Sequence, residues 1–392
     1  MKKSVIVSAA RTPIGSFNGA LSSVSATRLG SIAITEALRR VALSGEEVDE
    51  VIMGNVLSAG LGQAPARQAS LGAGLPASVG CTTVNKVCGS GLKAVMLANQ
   101  AIVAGDADVV VAGGMESMTN APYLLMKARS GYRMGHGELI DSMIRDGLWD
   151  VYNQFHMGKA AELCAETLGI SREEQDQFAV TSYRRALEAQ RKGEFRREIV
   201  AVPVTRGNGA EQWAEEDEEP KRANLERLPS LKPAFKKDGR VTAGNASSIS
   251  DGAAALVVMS EEKAKALGLS PRARIVSYGS FATDPAWFTT APVHAISSLL
   301  KKTGRQVADV DLFEINEAFA VCSIAVNRKL GLDPGRVDVR GGAVALGHPI
   351  GASGARILTT LIHELEDMKL STGVASLCIG GGEAVAMMIE RV

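Results

Sequence analysis

The sequence has no surplus charge. Its 43 Lys and Arg are matched by 43 Asp and Glu, so the formal net charge is zero. A neutral chain generates no global field for nucleic acid or an anionic membrane surface, and neither is expected as a partner. Cysteine is scarce and odd in number: Cys81, Cys88, Cys164, Cys322 and Cys378. That excludes the short, Cys-dense framework of a secreted disulfide scaffold and makes a cytoplasmic setting the expectation. No apolar stretch approaches 18 uninterrupted residues, so no membrane span is expected. The start, Met1-Lys2-Lys3-Ser4-Val5-Ile6-Val7, has the charge of a signal peptide but not its apolar length. Arg11-Thr12-Pro13 ends the run too early, and a first β-strand is the better reading.

What remains is a globular composition, 46% hydrophobic and 22% charged over 392 residues. At about 150 residues per domain, two or three domains are expected. A faint duplication organises them. Val48-Asp49-Glu50-Val51-Ile52-Met53-Gly54-Asn55 has the shape of Val310-Asp311-Leu312-Phe313-Glu314-Ile315-Asn316-Glu317, 262 residues later. Cys88-Gly89-Ser90-Gly91-Leu92-Lys93-Ala94-Val95 matches Gly351-Ala352-Ser353-Gly354-Ala355-Arg356-Ile357-Leu358 at an offset of 263. Each Gly/Ser segment opens a helical pattern; Leu358, Leu361, Ile362 and Leu365 follow the i, i+3, i+4, i+7 spacing. Each helix leads to an apolar strand ending in glycines, Asp108–Gly114 and Val374–Gly380. Strand–helix–strand alternation predicts α/β layering in two similar domains packed together.

Residues 120–250 break the pattern and are predicted to be an insertion folded over the first half. Ala253–Met259 then returns the chain to that half as a strand. The domains expected are 1–119 plus 251–270, the inserted 120–250, and 271–392. The acidic run Glu215-Glu216-Asp217-Glu218-Glu219 is expected to be a solvated loop.

Four segments carry chemistry. Cys88 precedes a helix, whose free N–H groups and partial positive charge favour thiolate, the reactive form; the bland alternative is a buried core cysteine. His348, one of only five histidines, is held in the Gly/Pro loop before the second Gly/Ser turn. Two related domains packed face to face would bring it beside Cys88 as a base, unless it is a loop histidine capping backbone groups. Cys378 ends a strand before Gly380, Gly381 and Gly382, where glycines permit close approach and N–H donation to an oxyanion; a lone strand Cys is more often packing. Asn316 ends another strand in Asn316-Glu317-Ala318-Phe319, a place where Asn is commonly a turn or cap residue. Together they have one economical reading: two thiols, an imidazole and an amide gathered at strand ends between two similar domains.

These segments resemble those of the thiolases in order and spacing, and the resemblance covers essentially the whole chain. It implies an α/β thiolase fold: two similar βαβαβαββ halves in a five-layered αβαβα core, with an inserted loop domain. It implies acetyl-CoA acetyltransfer, the reversible Claisen condensation of two acetyl-CoA to acetoacetyl-CoA and CoA, with CoA as part of the substrate and no separate cofactor or metal. Carried over by motif, Cys88 is the acylated nucleophile and His348 the base that activates it. Cys378 moves the α-proton, and Asn316 holds a water that binds the enolate oxygen with His348. The N–H groups of Cys88 and Gly380 form the other oxyanion hole.

The resemblance also implies substrate or CoA contacts at His156, Met157, Phe235, Ala243, Ser247, Phe288, Ala318 and Phe319, with Lys221 and Arg222 meeting phosphates. His156 and Met157 lie in a segment similar to that of the short-chain members, and Phe288 stands where the biosynthetic bacterial pattern has Met. Pro220 falls where the potassium-activated members carry Tyr. Residues 120–147 resemble the loop that joins dimers into a homotetramer. The rival readings are a degradative 3-ketoacyl-CoA thiolase of broader chain length, a ketoacyl synthase, which needs His or Asn where Cys378 stands, and a non-catalytic acyl-CoA binder.

Overall fold

The computed structural model describes residues 2–205 and 211–392. The first half runs β1 (Ser4–Arg11), α1 (Ala26–Arg39), β2 (Glu50–Gly54), α2 (Pro65–Gly72), β3 (Gly80–Val84), α3 (Ser90–Ala104) and β4 (Val109–Ser117). The inserted helices α4 (Met157–Thr167) and α5 (Arg172–Lys192) follow, and β5 (Ser250–Ser260) completes the half. The second half runs β6 (Ala273–Ala282), α6 (Ala291–Thr303), β7 (Leu312–Ile315), α7 (Ala320–Leu330), the single turn α8 (Ala343–Leu346), α9 (Ser353–Asp367), β8 (Thr372–Ile379) and β9 (Glu383–Arg391). The predicted repeat is therefore present, with one difference. The third strand of the second half shrinks to a single parallel bridge between Phe313 and Val337.

The strands lie in the order β7-β8-β9-β6-β1-β5-β4-β2-β3. The β2, β3 and β4 strands are mutually parallel, as are β7 and β8, because helical crossovers connect them. The halves meet edge to edge where β1 runs antiparallel to β6, through the pairs Val5–Arg274 and Ile6–Ala273.

Alternation along the strands builds the layers. In β4, Val110 and Ala112 face an inner cluster with α3 and α9, while Val109 and Val111 face α1. In β8, Ala375 and Leu377 face the same inner cluster, while Val374 faces α6. Outer helices, sheet, inner helices, sheet and outer helices make five layers, as expected. Strands covered on both sides read as continuous apolar runs, which is why β4, β5 and β8 are wholly buried. The segment Val87–Ala104 is long and apolar enough to cross a membrane, but it is the inner helix of this stack.

The inner helices cross at two glycines that the repeat makes equivalent. A Cβ on Gly91 would lie 2.7 Å from the Ala355 nitrogen, and one on Gly354 2.3 Å from the Leu92 nitrogen. Only glycine lets these backbones touch. The contact brings the N-termini of α3 and α9 together, one preceded by Cys88 and the other by the His348 loop.

Two expectations are corrected here. The insertion does not lie chiefly over the first half. Its helices pack on the second, Ala161 and Cys164 of α4 against Val321 and Ala325, and Ala179 and Ala186 of α5 against Val344 and Ala345. Nor is the acidic run a solvated loop throughout. Asp217 is buried, accepts both terminal nitrogens of Arg11 at 2.7 and 2.9 Å, and takes the Ile14 N–H at 2.8 Å. Glu218 accepts the N–H groups of Ser16 and Ala20. A buried guanidinium requires such partners, and the run supplies them.

Candidate active site

Cys88 sits in the turn between β3 and α3. Val87 before it adopts φ +45°, a left-handed conformation costly for a β-branched side chain by about 1–3 kcal/mol. Local hydrogen bonds hold the turn: Ser90 Oγ accepts the Lys86 N–H at 2.8 Å and donates to the Val87 carbonyl at 2.7 Å, and Asn85 Oδ1 accepts the Val87 N–H at 3.0 Å. A Cβ on Gly89 would come within 2.4 Å of Ile379, so the turn also needs that glycine to approach the end of β8.

The thiol does not behave as the helix terminus alone would suggest. Burial and the neighbouring Cys378 push it up to about 12, outweighing the N–H groups of Gly380 and of Cys88 itself, which pull it down. At rest the group is a neutral thiol, and the expectation of a resting thiolate is corrected. A helix N-terminus carries only partial charge, whereas loss of water penalises the whole thiolate charge. Gly380 lines the cavity beside Cys88, so their backbone N–H groups are the candidate oxyanion donors.

His348 follows Gly347, whose φ of +106° turns the loop, and its own N–H donates to the Ser248 carbonyl at 3.1 Å. Ring Nδ1 lies 2.5 Å from Ser353 Oγ, and that hydroxyl donates its one proton to the Pro349 carbonyl at 3.0 Å. Nδ1 is therefore the donor, and Nε2 carries the lone pair as an acceptor. Burial, with a smaller contribution from Arg356, lowers the imidazole to about 3, so it is neutral and able to take a proton. Nε2 lies 3.5 Å from Asn316 Nδ2, and Asn316 Oδ1 is buried without a partner among the described residues.

Cys88 and His348 line one largely apolar cavity of about 380 Å³, which also includes Gly380, His156, Met157, Phe235, Ala243, Ser247, Phe288, Ala318 and Phe319. All three regions of the chain contribute. His156 caps α4 by accepting the Gly158 N–H on Nδ1 at 3.1 Å, stacks on Phe235 at 4.8 Å, and is lowered in pKa by burial. Ser247 donates to the Ala318 carbonyl at 2.8 Å, tying the insertion to the second half beside the cavity.

Asn316 and Cys378 are not themselves among the lining residues. Both are 1% exposed, at the ends of β7 and β8, behind the wall. Cys378 remains close enough to raise the Cys88 thiol, and it shares an apolar cluster with Cys322, whose own thiol is raised by burial and by Cys378. Lys221 and Arg222 lie outside the cavity on the surface, where they pair with Glu216 and Glu218. Sequence reasoning also missed Met118, Leu148 and Ile350 in the wall, and Ser353 behind His348. Of these, Ser353 was detectable, since it occupies the place of Ser90 in the repeat.

Comparison with known proteins agrees with this geometry. Residues 4–262 match the thiolase N-terminal domain and residues 269–391 the thiolase C-terminal domain. An acetyl-CoA acetyltransferase of Schizosaccharomyces pombe is 54% identical, with 99% of this chain and 98% of that protein covered. One of Pseudomonas aeruginosa is 53% identical over all of both chains. Among solved structures, the acetyl-CoA acetyltransferase of Bacillus anthracis superposes with a TM-score of 0.98 at 45% identity, covering 100% of this chain and 99% of that one. A thiolase of Ascaris suum in complex with coenzyme A gives 0.94 at 46% identity over 100% of both. The chain belongs to the thiolase family.

Proposed function

We propose that this enzyme is an acetyl-CoA C-acetyltransferase, condensing two acetyl-CoA to acetoacetyl-CoA and CoA through an acetyl-Cys88 intermediate. The observation that carries the reading is one cavity lined by a neutral thiol, a neutral imidazole whose Nε2 is an acceptor, and Gly380. Acetyl-CoA relatives covering the full length support the substrate.

In the first half-reaction His348 Nε2 takes the Cys88 proton as the sulfur attacks the thioester carbonyl. The developing oxyanion is held by the N–H groups of Cys88 and Gly380, and loss of one such donor typically costs about 10²–10³ in rate. His348 returns the proton to the departing CoA sulfur. In the second, Cys378 acting as the thiolate removes an α-proton from a new acetyl-CoA and becomes the thiol. His348 and a water on Asn316 hold the enolate oxygen; the unpartnered Asn316 Oδ1 is suited to such a water. The enolate carbon attacks acetyl-Cys88, and the released Cys88 sulfur recovers the proton from Cys378. Splitting the reaction at an acyl-cysteine gives ping-pong kinetics.

His156, Met157, Phe235 and Phe288 narrow the cavity, which favours short acyl groups. Within the 120–147 loop Tyr123, Leu125, Met126, Met134 and Leu139 are exposed apolar side chains, which supports homotetramer assembly. Five free thiols suit the reducing cytoplasm. Mass spectrometry after mixing with acetyl-CoA tests the reading: one acetyl group is expected on Cys88 and none in Cys88→Ala. Cys378→Ser is expected to acylate normally yet fail to condense. Acetylation at any other residue, or condensation by Cys378→Ser, would overturn the assignment.

A further inference from the structure

We infer that Glu116 is a positioning residue for the acyl-transfer chemistry, a buried carboxylate that holds the His348 loop of the second half against the half that carries Cys88. Glu116 is wholly buried at the end of β4 and accepts four N–H groups. Oε1 takes Asn55 Nδ2 at 2.8 Å and the Leu57 N–H at 3.2 Å, and Oε2 takes the Val56 and Gly351 N–H groups, each at 3.0 Å. Three donors come from the turn after β2. The fourth, Gly351, lies three residues after His348 and opens the approach to α9.

The same glycine is wedged by its backbone. A Cβ on Gly54 would stand 2.6 Å from the Gly351 carbonyl oxygen, and one on Gly114 2.1 Å from it. A Cβ on Gly351 itself would lie 2.6 Å from Glu116 Oε2. The loop thus docks, backbone to backbone, in a notch cut by two glycines of the first sheet, and Glu116 binds its amide at the rim. Gly351 is also the repeat counterpart of Cys88, so the clamp acts where the two halves' equivalent turns face each other.

Burial raises this carboxyl to about 7, against the N–H groups of Val56, Leu57 and Gly351, which pull it down, and Asp251 raises it further. Four donors on two oxygens leave no place for a carboxyl proton, so the clamped form is the ionised one. No part of Glu116 lines the cavity, and its effect on chemistry passes through His348. A misplacement of about 1 Å in such a base can cost on the order of 10²-fold in rate.

The inference rests on acyl transfer at Cys88 as proposed above. The test is single-turnover acetylation by acetyl-CoA in Glu116→Gln, which keeps the shape but presents an NH₂ to two N–H donors. The fitted rate constant is expected to fall about 10²-fold with little change in half-saturating acetyl-CoA. Simple loss of folded protein would lower the amplitude and leave the rate constant of the remainder intact. In the His348→Ala background the same substitution is expected to cost almost nothing further, because both act on one base. A Glu116→Gln rate constant within about twofold of wild type, or equal slowing with and without His348, would overturn the inference. Should Glu116→Gln not fold, Glu116→Asp, which keeps the charge with a shorter reach, is read in the same way. The His348 ring resonance in ¹⁵N-histidine-labelled protein, expected to move in either variant, tests the clamp without turnover. A wild type that is never acetylated on Cys88 would instead end the reading of the site itself.

Discussion

Ser90 and Ser353 hold equivalent places at the N-termini of the two crossing inner helices, yet only Ser353 carries an imidazole. Both hydroxyls donate to a carbonyl of the preceding turn, Ser90 to Val87 and Ser353 to Pro349. Ser90 has a backbone N–H as its donor, that of Lys86, and Ser353 has His348 Nδ1. One structural device, duplicated, shapes the Cys88 turn in one half and anchors the His348 ring in the other.

Ser353→Ala should therefore keep the fold and lose the tautomer. With Nδ1 unanchored, the ring is free to carry its proton on Nε2, the nitrogen needed as acceptor. Acetylation of Cys88 is expected to slow by about 10- to 100-fold, a portion of what a positioned base contributes. The ¹⁵N shifts of His348 in labelled protein should change from a single Nδ1–H form to a mixture. Unchanged shifts would show that Ser353 does not fix the proton.

The raised thiol gives a second expectation. With Cys88 near 12 rather than the ordinary value of about 8.5, alkylation by iodoacetamide in the absence of acetyl-CoA should keep rising with pH through the range where a free cysteine levels off. A plateau below pH 8 would mean a resting thiolate. His348→Ala should slow acetylation by acetyl-CoA on the order of 10²–10⁴-fold and leave alkylation at high pH nearly unchanged, since hydroxide then removes the proton.

The meeting of Cys88 and His348 in one cavity was legible because both lie in or beside short segments that recur. Cys88, His348, Gly380 and the two Gly/Ser turns follow from local sequence and the 263-residue offset, and the crossing at Gly91 and Gly354 joins them. What was not legible depends on partners far along the chain. Nothing in Glu215–Glu219 tells that Asp217 will meet Arg11, 206 positions away. Glu116 follows the glycines that end the predicted strand, and of the four donors that make it a clamp three are backbone groups without a sequence signature, the fourth being the Asn55 side-chain amide. The neutral resting thiol was missed because helix position is visible in sequence, whereas desolvation is not.

The helix crossing offers a stability test. Gly354 sits where a Cβ would meet the Leu92 nitrogen at 2.3 Å, a backbone atom that cannot rotate away. Gly354→Ala should destabilise by about 2–4 kcal/mol through forced separation of α3 and α9. Gly105→Ala, at the solvent end of α3 with nothing within 4 Å, has only its φ of +91° to pay for and should cost less. Thermal unfolding of the two variants checks the order, and a smaller loss for Gly354→Ala would contradict the close crossing.

A buried group of acids behind the site predicts a pH-dependent stability. Burial, opposed by Arg356, raises Glu314 to about 8, and burial raises Glu317 to about 7 although Ser182 Oγ and the Val344 N–H pull it down. Both folded values lie above the unfolded value near 4.5, so between these limits the folded chain holds protons that the unfolded chain has released. Their contribution to stability is complete below about pH 4.5, declines through pH 7–8 and is gone above, at about 1.4 kcal/mol per pH unit for each proton involved. The unfolding midpoint should fall from pH 5 to pH 9, and Glu317→Gln, which imitates the protonated form, should flatten that fall. A midpoint that rises over this range would refute the sign.

Phe288 decides how much room the acyl group has. It is 2% exposed, lines the cavity, and meets Phe319 edge to face at a centroid separation of 6.4 Å. The ring belongs to the same apolar cluster as Met157 and Cys378, the group proposed above to take the α-proton. Phe288→Leu removes ring volume while keeping an apolar wall, which limits the loss of stability. One extra methyl group in an apolar site is worth about 10- to 200-fold in discrimination. The ratio of kcat/KM for 2-methylacetoacetyl-CoA to that for acetoacetyl-CoA should therefore rise about tenfold or more in Phe288→Leu. If the ratio is unchanged while both substrates still turn over, Phe288 is a packing residue and the acyl limit lies elsewhere, at Met157 or His156.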